Sequence, residues 1–436
     1  MPASYPADLA RHVRAQLQSR IENPPSLEVL KKLFEAMYFA SLKSEEAEPI
    51  SCRIAFVDRN SPDPSPPERK VANRWKYFRL DRGVRLSVRN LVKLSKAVDP
   101  WGSTLAVDAD QEGKLWIWGL IDQSVHYSTY LVKEASSGPE MPGIFQALIQ
   151  GIGELAVYRT YLLLGSLTQD LLITKQQIVF QTGPIHSKIV PSVQQFREKV
   201  KQTVGREAYK SRPHWDATLE DLWISAVCRI LIGIQRYGHG GAVLISDLPD
   251  GLKPKYSLSY DRLATSLRRV ATRSIENTSA SDQIHEEYVR RHEELLPMEL
   301  HLRESASNEE LRDANEEVTG CVRFLASLSR VDGLIWLDGD LCLHGFGVEI
   351  TAKRDPTTLL LAQDSQGRNT RTLRLTHYGM RHRSMMRHCA AHPESLGFVV
   401  SQDGDVRAIT SVDDSVLVWE NVRIQSIRNA RPVTTD

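Results

Sequence analysis

The sequence predicts a mixed α/β protein, of the α+β or α/β class, whose C-terminal part is a mixed β-sheet flanked by helices. Two observations predict this class. From about residue 217, segments follow in the order helix, strand, helix, hairpin, helix, hairpin, which is typical of a sheet with helices packed on it. The chain also has 436 residues, a length that indicates two or three domains.

Four segments are expected along the chain. They are a small α+β domain at 1–133, a β-rich middle segment at 143–210, a large domain at 217–412, and a final strand and tail at 413–436. Residues 136–143 (SSGPEMPG) are rich in Gly, Pro and Ser and mark the first boundary. No internal repeat is evident.

In the first domain, residues 26–46 have apolar side chains at helical spacing, and Ser26 supplies a helix start signal. Four prolines within 58–70 predict a loop, because proline cannot donate to a strand ladder. The other predicted elements are a strand at 52–57, a helix at 87–99, and two strands at 103–109 and 114–121.

Beyond the first domain, the region 143–185 is predicted to be mainly strands, and the polar interval 273–317 a solvated helix or a mobile insertion. A strong helix runs to Gly238, with Asp216 or Thr218 as its cap. The other predicted elements are a helix at 189–204, strands at 240–246, 358–363 and 372–376, hairpins turning at 338–339 and 403–404, and a short helix at 381–389.

The composition excludes several classes of function. The net charge is +1, from 55 basic and 54 acidic side chains, so the whole surface has no general attraction for nucleic acid or an anionic membrane. Five scattered cysteines without a CxxC pair indicate reduced, mostly buried thiols. With no secretory signal and no apolar run long enough to span a bilayer, a soluble cytoplasmic protein is expected.

Two short motifs point to chemistry. Asp332-Gly333 opens an apolar strand, and Arg381-His382-Arg383 opens a helix after Gly379. Three cationic or near-cationic groups on one turn repel each other, and a polyphosphate would relieve that repulsion. A strand-end carboxylate that can hold a metal, together with a basic cluster that can hold phosphates, is typical of nucleotidyl transfer.

Each motif alone has a simpler interpretation. Asp332 beside glycine is typical of a turn, and an isolated Arg-His-Arg is typical of an exposed helix face. His388, Cys389 and His392 suggest metal ligands, but packing and solvent exposure are the better interpretation because no second cysteine lies near. Met385 and Met386 either cover a base or fill core. The joint occurrence of the two motifs favours the functional interpretation.

These residues resemble the diadenylate cyclase (DAC) domain over about 217–412. That bacterial family is marked by an Asp-Gly-Ala motif, a Gly-Thr-Arg-His-Arg motif and a Val-Val-Ser-Glu-Glu strand end. The chain has matching segments in the same order, at 332–334, 379–383 and 399–403, and the strand at 240–245 is also similar. The first 130 residues resemble the sensor domain (DACNV) that precedes some DAC domains.

The resemblance implies a cyclase that condenses two ATP molecules into cyclic di-AMP, a second messenger, with Mg²⁺ or Mn²⁺. Asp332 would be catalytic and a metal ligand, beside Gly333, which would let the backbone approach the nucleotide. Arg381, His382 and Arg383 would hold the triphosphate. The remaining implied residues are the nucleotide contacts Leu334, Gly379, Met380, Ser384 and Ser401, and the second metal ligand Asp403. Since one domain holds one ATP, two domains must face each other in a homo-oligomer.

The chain departs from the family pattern at four positions, where Val331, Leu334, Met380 and Gln402 replace the family's usual histidine, alanine, threonine and acid. Two alternative functions therefore stay open. One is a DAC-like sensor or scaffold that binds nucleotide without turnover. The other is a cyclase that makes a different dinucleotide.

Overall fold

A computed structural model describes residues 4–69, 71, 74–131, 133–134, 138–168, 170–210, 214–291, 298–402 and 404–424. The chain divides into two units, one ending at Gln176 and the other covering Gln177–Ile424. Each unit contains one large sheet with helices packed on it, so the predicted mixed α/β class is confirmed. Within the described residues, no helix is both long enough and apolar enough to cross a membrane.

The N-terminal unit begins with two helices, whose apolar faces pack on the sheet. Ser26 caps the second of them, as predicted, by accepting a hydrogen bond from the Val29 N–H at 3.3 Å. Its elements are α1 (Pro6–Gln18), α2 (Leu27–Ser41), β1 (Ser44–Glu45), β2 (Glu48–Pro49), β3 (Cys52–Phe56), β4 (Lys76–Arg85), α3 (Val88–Ser95), β5 (Ser103–Ala109), β6 (Leu115–Asp122), α4 (Ser124–Leu131), β7 (Phe145–Gly151), β8 (Glu154–Arg159), β9 (Leu162–Thr168) and β10 (Leu171–Ile173).

The sheet of this unit has the strand order β10-β9-β8-β7-β3-β5-β6-β4 in the described residues. One face forms the main core with α1, α2 and α3, where Leu30, Phe34 and Phe145 are almost fully buried. The other face has a smaller apolar cluster that includes Trp75 and Trp118. Strand alternation thus gives this sheet two covered faces.

The described part of the C-terminal unit contains four long helices and a nine-stranded sheet. Its elements are α5 (Pro184–Val204), α6 (Arg206–Lys210), α7 (Trp215–Tyr237), β11 (Gly241–Ile245), β12 (Leu252–Tyr260), α8 (Arg262–Arg291), α9 (Met298–Leu328), β13 (Leu334–Leu337), β14 (Leu343–Ile350), β15 (Thr358–Ala362), β16 (Thr370–Thr372), a 3₁₀ turn (Leu375–His377), α10 (Met380–Ala391), β17 (Leu396–Val400), β18 (Val406–Val412) and β19 (Ser415–Trp419).

The strand order in this sheet is β12-β14-β13-β11-β17-β18-β19-β15-β16. Strand β11 is central and buried along its whole length, as expected for a strand covered on both faces. Helix α10 packs on one face over a core that includes Ala242, Leu334 and Val399, and Gly397 lets Met385 approach β17 closely. All five cysteines are free, as predicted.

The structure divides the chain differently from the sequence analysis. The region 143–210 is not one segment, because strands β7 to β10 continue the N-terminal sheet while α5 belongs to the C-terminal unit. Strand β19 is likewise no separate tail, since it lies between β18 and β15 in the larger sheet. Hydrogen bonding between strands distant in sequence sets these boundaries, and composition does not report it.

Two local predictions need correction, and the helical alternative for a third segment is confirmed. Neither Asp216 nor Thr218 caps α7, because the helix begins at Trp215 and His214 occupies the N-cap position. Its end at Gly238 is confirmed, with φ of 68°. The strand expected at 372–376 ends at Thr372 and gives way to a 3₁₀ turn. The interval 273–317 is helical wherever it is described, within α8 and α9.

Candidate functional site

The predicted site residues converge on one edge of the larger sheet. Strand β11 runs parallel to β13, with Val243 opposite Ile335, so the two strands begin at the same edge. Strand β17 runs antiparallel to β11, with Gly241 opposite Val400, so β17 ends there. Asp332, before β13, and Ser401, after β17, are therefore placed at this edge by strand pairing.

The first turn of α10 lies at the same edge. Gly379 occupies the N-cap position, and no side chain caps the helix, so the amide groups of the first turn are left for another acceptor. Arg381 reaches back to the sheet, because a Cβ added to Gly240 would lie 3.2 Å from its Nη1. Its Nη2 is 4.0 Å from Oδ1 of Asp332. The two predicted motifs thus meet.

Asp332 and Arg381 form an open ion pair. The Asp332 side chain is 92% exposed and that of Arg381 is 36% exposed. Exposed pairs at this separation contribute little, about 0–1 kcal/mol, because water screens them. Both groups can therefore exchange this contact for a ligand at low cost.

Two glycines shape the edge. Gly333 has φ of 123°, and a Cβ there would lie 2.6 Å from Cα of Gly347 on β14. The close approach that requires glycine is therefore to the chain's own backbone, which differs from the predicted approach to a nucleotide. Gly240 has φ of 65°, and a Cβ there would lie 2.8 Å from the Val400 oxygen. The sequence analysis did not assign Gly240 to the site.

His382 and Ser401 are held by an arginine that the sequence analysis missed. Nη1 of Arg407 lies 2.9 Å from Oγ of Ser401 and 2.9 Å from Nε2 of His382. Since a guanidinium only donates, Nε2 accepts, and the ring is neutral in this arrangement. His382 is therefore not the third cation of a crowded cluster, and its Nε2 is not available to phosphate.

Arg407 is itself fixed by two carboxylates. Its Nη2 is 3.0 Å from Oδ2 of Asp405 and its Nε is 3.1 Å from Oε1 of Glu420. Burial acts to lower the pKa of the Arg407 guanidinium, but the charges of Asp405 and Glu420 outweigh it and raise the pKa. Tyr378 also donates to Glu420 at 3.2 Å, and burial raises the pKa of its phenol. The signal that could have identified Arg407 in the sequence is its position as the single charged residue of the strand VRAITSV (Val406–Val412).

The other predicted contacts divide between open and buried positions. Met380 is 76% exposed beside the first turn of α10. Leu334 is only 5% exposed and packs in the core below α10, so its side chain does not line the open edge and does not crowd a ligand there. Ser384 donates to the Met380 carbonyl at 3.0 Å. Nε of Arg383 is sealed from solvent without a hydrogen-bond partner.

The metal prediction rests on Asp332. Asp403 lies outside the described residues, and the carboxylate of Asp405 accepts from Arg407 and from the Asn421 N–H. Among the described residues, no three side chains with His, Cys, Asp or Glu donors come together. Mg²⁺ is commonly held by one or two carboxylates together with substrate phosphates and water. One exposed carboxylate beside an uncapped helix start fits such a shared metal.

His388 in α10 and His392 at the C-cap of that helix form a separate pair, in which only His388 is buried. His388 is fully buried and its ring lies 4.5 Å from that of His392. Burial lowers the pKa of His388 to about 4, with a smaller contribution from His392. Cys389 donates to the Ile409 carbonyl from within the core. Met385 and Met386 are also fully buried, so the packing interpretation of these residues is confirmed.

Comparison with known proteins supports the N-terminal resemblance. Residues 19–122 match the family model described as "Probable sensor domain DACNV". No model of a diadenylate cyclase domain matches the rest of the chain. No curated protein matches, and no solved structure matches. The matched residues lie within the N-terminal unit, from the end of α1 to the end of β6. The chain therefore carries a probable DACNV sensor domain at residues 19–122.

Proposed function

We propose that the C-terminal unit, which follows the sensor domain in the chain, is a diadenylate cyclase. It would condense two ATP molecules into cyclic di-AMP and release pyrophosphate. The observation that carries the proposal is the open pair of Asp332 and Arg381, 4.0 Å apart at the uncapped start of α10. A carboxylate, a guanidinium and free backbone amides at one exposed edge suit a nucleoside triphosphate.

Each residue of the site would have a role that follows from its side-chain chemistry. Arg381 and the first amides of α10 would bind the phosphates, since arginine donates two parallel hydrogen bonds to phosphate oxygens. Arg383, on the same turn, brings a second guanidinium. His382 and Ser401 are positioned by Arg407 and would shape the edge without adding charge. Met380 offers an exposed apolar side chain to the nucleotide.

In the reaction, the 3′-oxygen of one ATP forms a bond to the α-phosphorus of the other, and the bond from that phosphorus to the β-bridging oxygen breaks. Pyrophosphate leaves, and Asp332 accepts or directs the proton of the 3′-hydroxyl. A second transfer closes the ring. Bound Mg²⁺ or Mn²⁺ would stabilise charge on the phosphoryl oxygens. Arg381 is placed in advance for the same charge.

The reaction needs two nucleotides in opposite orientations, whereas the C-terminal unit of one chain offers one nucleotide-binding edge in its described residues. Two copies of the chain therefore would face each other during catalysis. Because the site edge is exposed, as the 92% exposure of Asp332 indicates, a second copy can approach it.

A second function has its own support. With one exposed carboxylate and no three-donor cluster among the described residues, metal binding depends heavily on the substrate. A unit that binds ATP without turnover, as a sensor or scaffold, is consistent with this small donor set. A cyclase that makes another dinucleotide from GTP or from unlike nucleotides would use the same edge.

One experiment separates these functions. The full chain is incubated with labelled ATP and Mn²⁺, and the products are resolved by chromatography and mass spectrometry. Cyclic di-AMP with pyrophosphate is expected from the wild type and from Asp250→Asn, which removes an exposed carboxylate elsewhere in the unit. Asp332→Asn should form neither. Binding without pyrophosphate release would favour the sensor, and normal product from Asp332→Asn would overturn the role of Asp332.

A further inference from the structure

The N-terminal sheet buries a group of polar side chains, here called the Arg53 cluster: Arg53, Thr104, Gln123, Tyr127 and Gln146. Each of the five is at most 5% exposed. They lie on the face opposite the main core, where α4 contributes Tyr127. Buried polar groups of this kind require hydrogen-bond partners, and a buried charge requires a counter-charge.

Strand register brings the cluster together. Strand β3 is parallel to β5 with Ile54 opposite Leu105, so Arg53 and Thr104 are neighbours on one face. Ala55, on the same face as Arg53, lies opposite Gln146 of β7. The arrangement is thus set by the sheet, which makes it a rigid feature of the unit.

Among the described residues, no carboxylate lies within ion-pair distance of Arg53, whose polar contacts are with neutral groups. Its Nε donates to the Pro100 carbonyl at 3.0 Å, and its Nη1 donates to Oε1 of Gln146 at 3.1 Å. A guanidinium has five N–H groups, and among the residues that the structure describes, two of those of Arg53 have acceptors. No ion pair among the described residues includes Arg53. A buried cation without a counter-charge is strongly unfavourable, so an anion bound beside Arg53 would stabilise this face of the sheet.

The neighbours of Arg53 are also unsatisfied. Oγ1 of Thr104 and Nε2 of Gln146 are sealed from solvent without a hydrogen-bond partner, and the equally sealed Gln123 amide has the Tyr127 hydroxyl beside it. Folded proteins leave few buried polar atoms unpaired, so several in one cluster need an explanation. Thr104 neighbours Arg53 by strand register and Gln146 accepts from its guanidinium, so two of these polar groups lie beside the cation.

Tyr127 does not supply the missing charge. Its ring lies beneath the Arg53 guanidinium, 5.0 Å from Cζ, and its hydroxyl is 3.5 Å from Oε1 of Gln146. Burial raises the pKa of Tyr127 to about 12, although Arg53 and Gln123 act in the opposite direction. The phenol is therefore neutral at physiological pH. Water could satisfy the amide and hydroxyl groups, but water brings no negative charge.

We propose that the Arg53 cluster is the ligand site of the sensor domain and that its ligand is a small oxyanion, of carboxylate or phosphate chemistry. The planar guanidinium of Arg53 pairs with two oxygens of such an anion. The Gln123 and Gln146 amides and the Thr104 hydroxyl bind its remaining polar atoms. The proposal is independent of the reaction proposed for the C-terminal unit.

The test is thermal unfolding of the full chain with inorganic phosphate or acetate, against sodium chloride at equal ionic strength. At about 100 times its dissociation constant, the correct anion should raise the melting temperature by about 5 °C or more. Arg53→Met should lose this shift. Arg89→Met, which removes an exposed arginine from α3, should keep it. If just one of the two anions raises the melting temperature, acetate indicates a carboxylate ligand and inorganic phosphate indicates a phosphate ligand.

A second variant and a second measurement guard against misfolding. Thr104→Val keeps the shape of a buried side chain and should weaken binding of the effective anion about tenfold. Hydrogen exchange should show anion-dependent protection at residues 100–106 and 124–131. The proposal is overturned if neither anion shifts the wild type. It is also overturned if Arg53→Met responds to the effective anion like the wild type.

Discussion

Arg407→Met tests how the site edge is positioned. Arg407 links two strand ends and α10, through Ser401, His382, Asp405 and Glu420. Methionine keeps much of the side-chain volume and removes the charge and every donor. We expect a loss of stability together with disorder at Ser401 and His382, because nothing else described in the structure holds Ser401 Oγ.

The magnitude follows from what is left behind. The side chains of Arg407, Asp405 and Glu420 are 20%, 16% and 28% exposed, so the variant leaves two largely buried carboxylates without their cation. Removing one partner of a buried ion pair costs about 3–5 kcal/mol. Asp405 still accepts from the Asn421 N–H, so we take the lower value, about 3 kcal/mol.

The assay is thermal unfolding followed by circular dichroism, with Arg368→Met as the control. Arg368 is an exposed arginine of the same unit, and its loss should change stability by less than about 0.5 kcal/mol. For a unit of this size, about 3 kcal/mol corresponds to a fall of about 6–12 °C in the melting temperature. If Arg407→Met has the same melting temperature as Arg368→Met, the hydrogen-bond network of Arg407 does not stabilise the edge and the reasoning is refuted.

Three further predictions concern the same unit. Gly333→Ala should cost at least about 2 kcal/mol in denaturant unfolding, because of its φ and the contact with β14, whereas Gly379→Ala, with open space around it, should cost under about 1 kcal/mol. His388 has a pKa of about 4 in the folded protein against an ordinary value of 6.5, so its contribution to stability is present above about pH 6.5 and is lost as the pH falls towards 4. His388→Gln should reduce this acid-induced loss of unfolding free energy by up to about 3 kcal/mol, and His377→Gln, at an exposed site, should leave it unchanged. Arg381→Met should weaken ATP binding by about 10- to 100-fold in calorimetry, and unchanged affinity would remove Arg381 from the site.

Local patterns predicted most of the elements and the convergence of the site. Ser26, Gly238 and the alternating apolar strands carry their signals within a few neighbouring residues, and the structure confirms them. The meeting of Asp332 with Arg381 was also expected, because strand starts and helix starts were identified correctly.

What the sequence did not predict depends on long-range pairing. The assignment of residues 143–176 to the first sheet is set by the pairing of β3 with β7, which no local pattern reports. Arg407 was missed because its role comes from partners on other elements. Leu334 was expected at the nucleotide, but strand alternation directs it into the core.

The central claim is that the Asp332 carboxylate and the start of α10 bind one nucleoside triphosphate. A structure of the full chain with a non-hydrolysable ATP analogue and Mg²⁺ tests this claim directly. We predict phosphate oxygens within hydrogen-bonding distance of the Arg381 guanidinium and the first amides of α10, with the metal between phosphate and Asp332. An analogue bound elsewhere, with Asp332 and Arg381 still facing only each other, would contradict it.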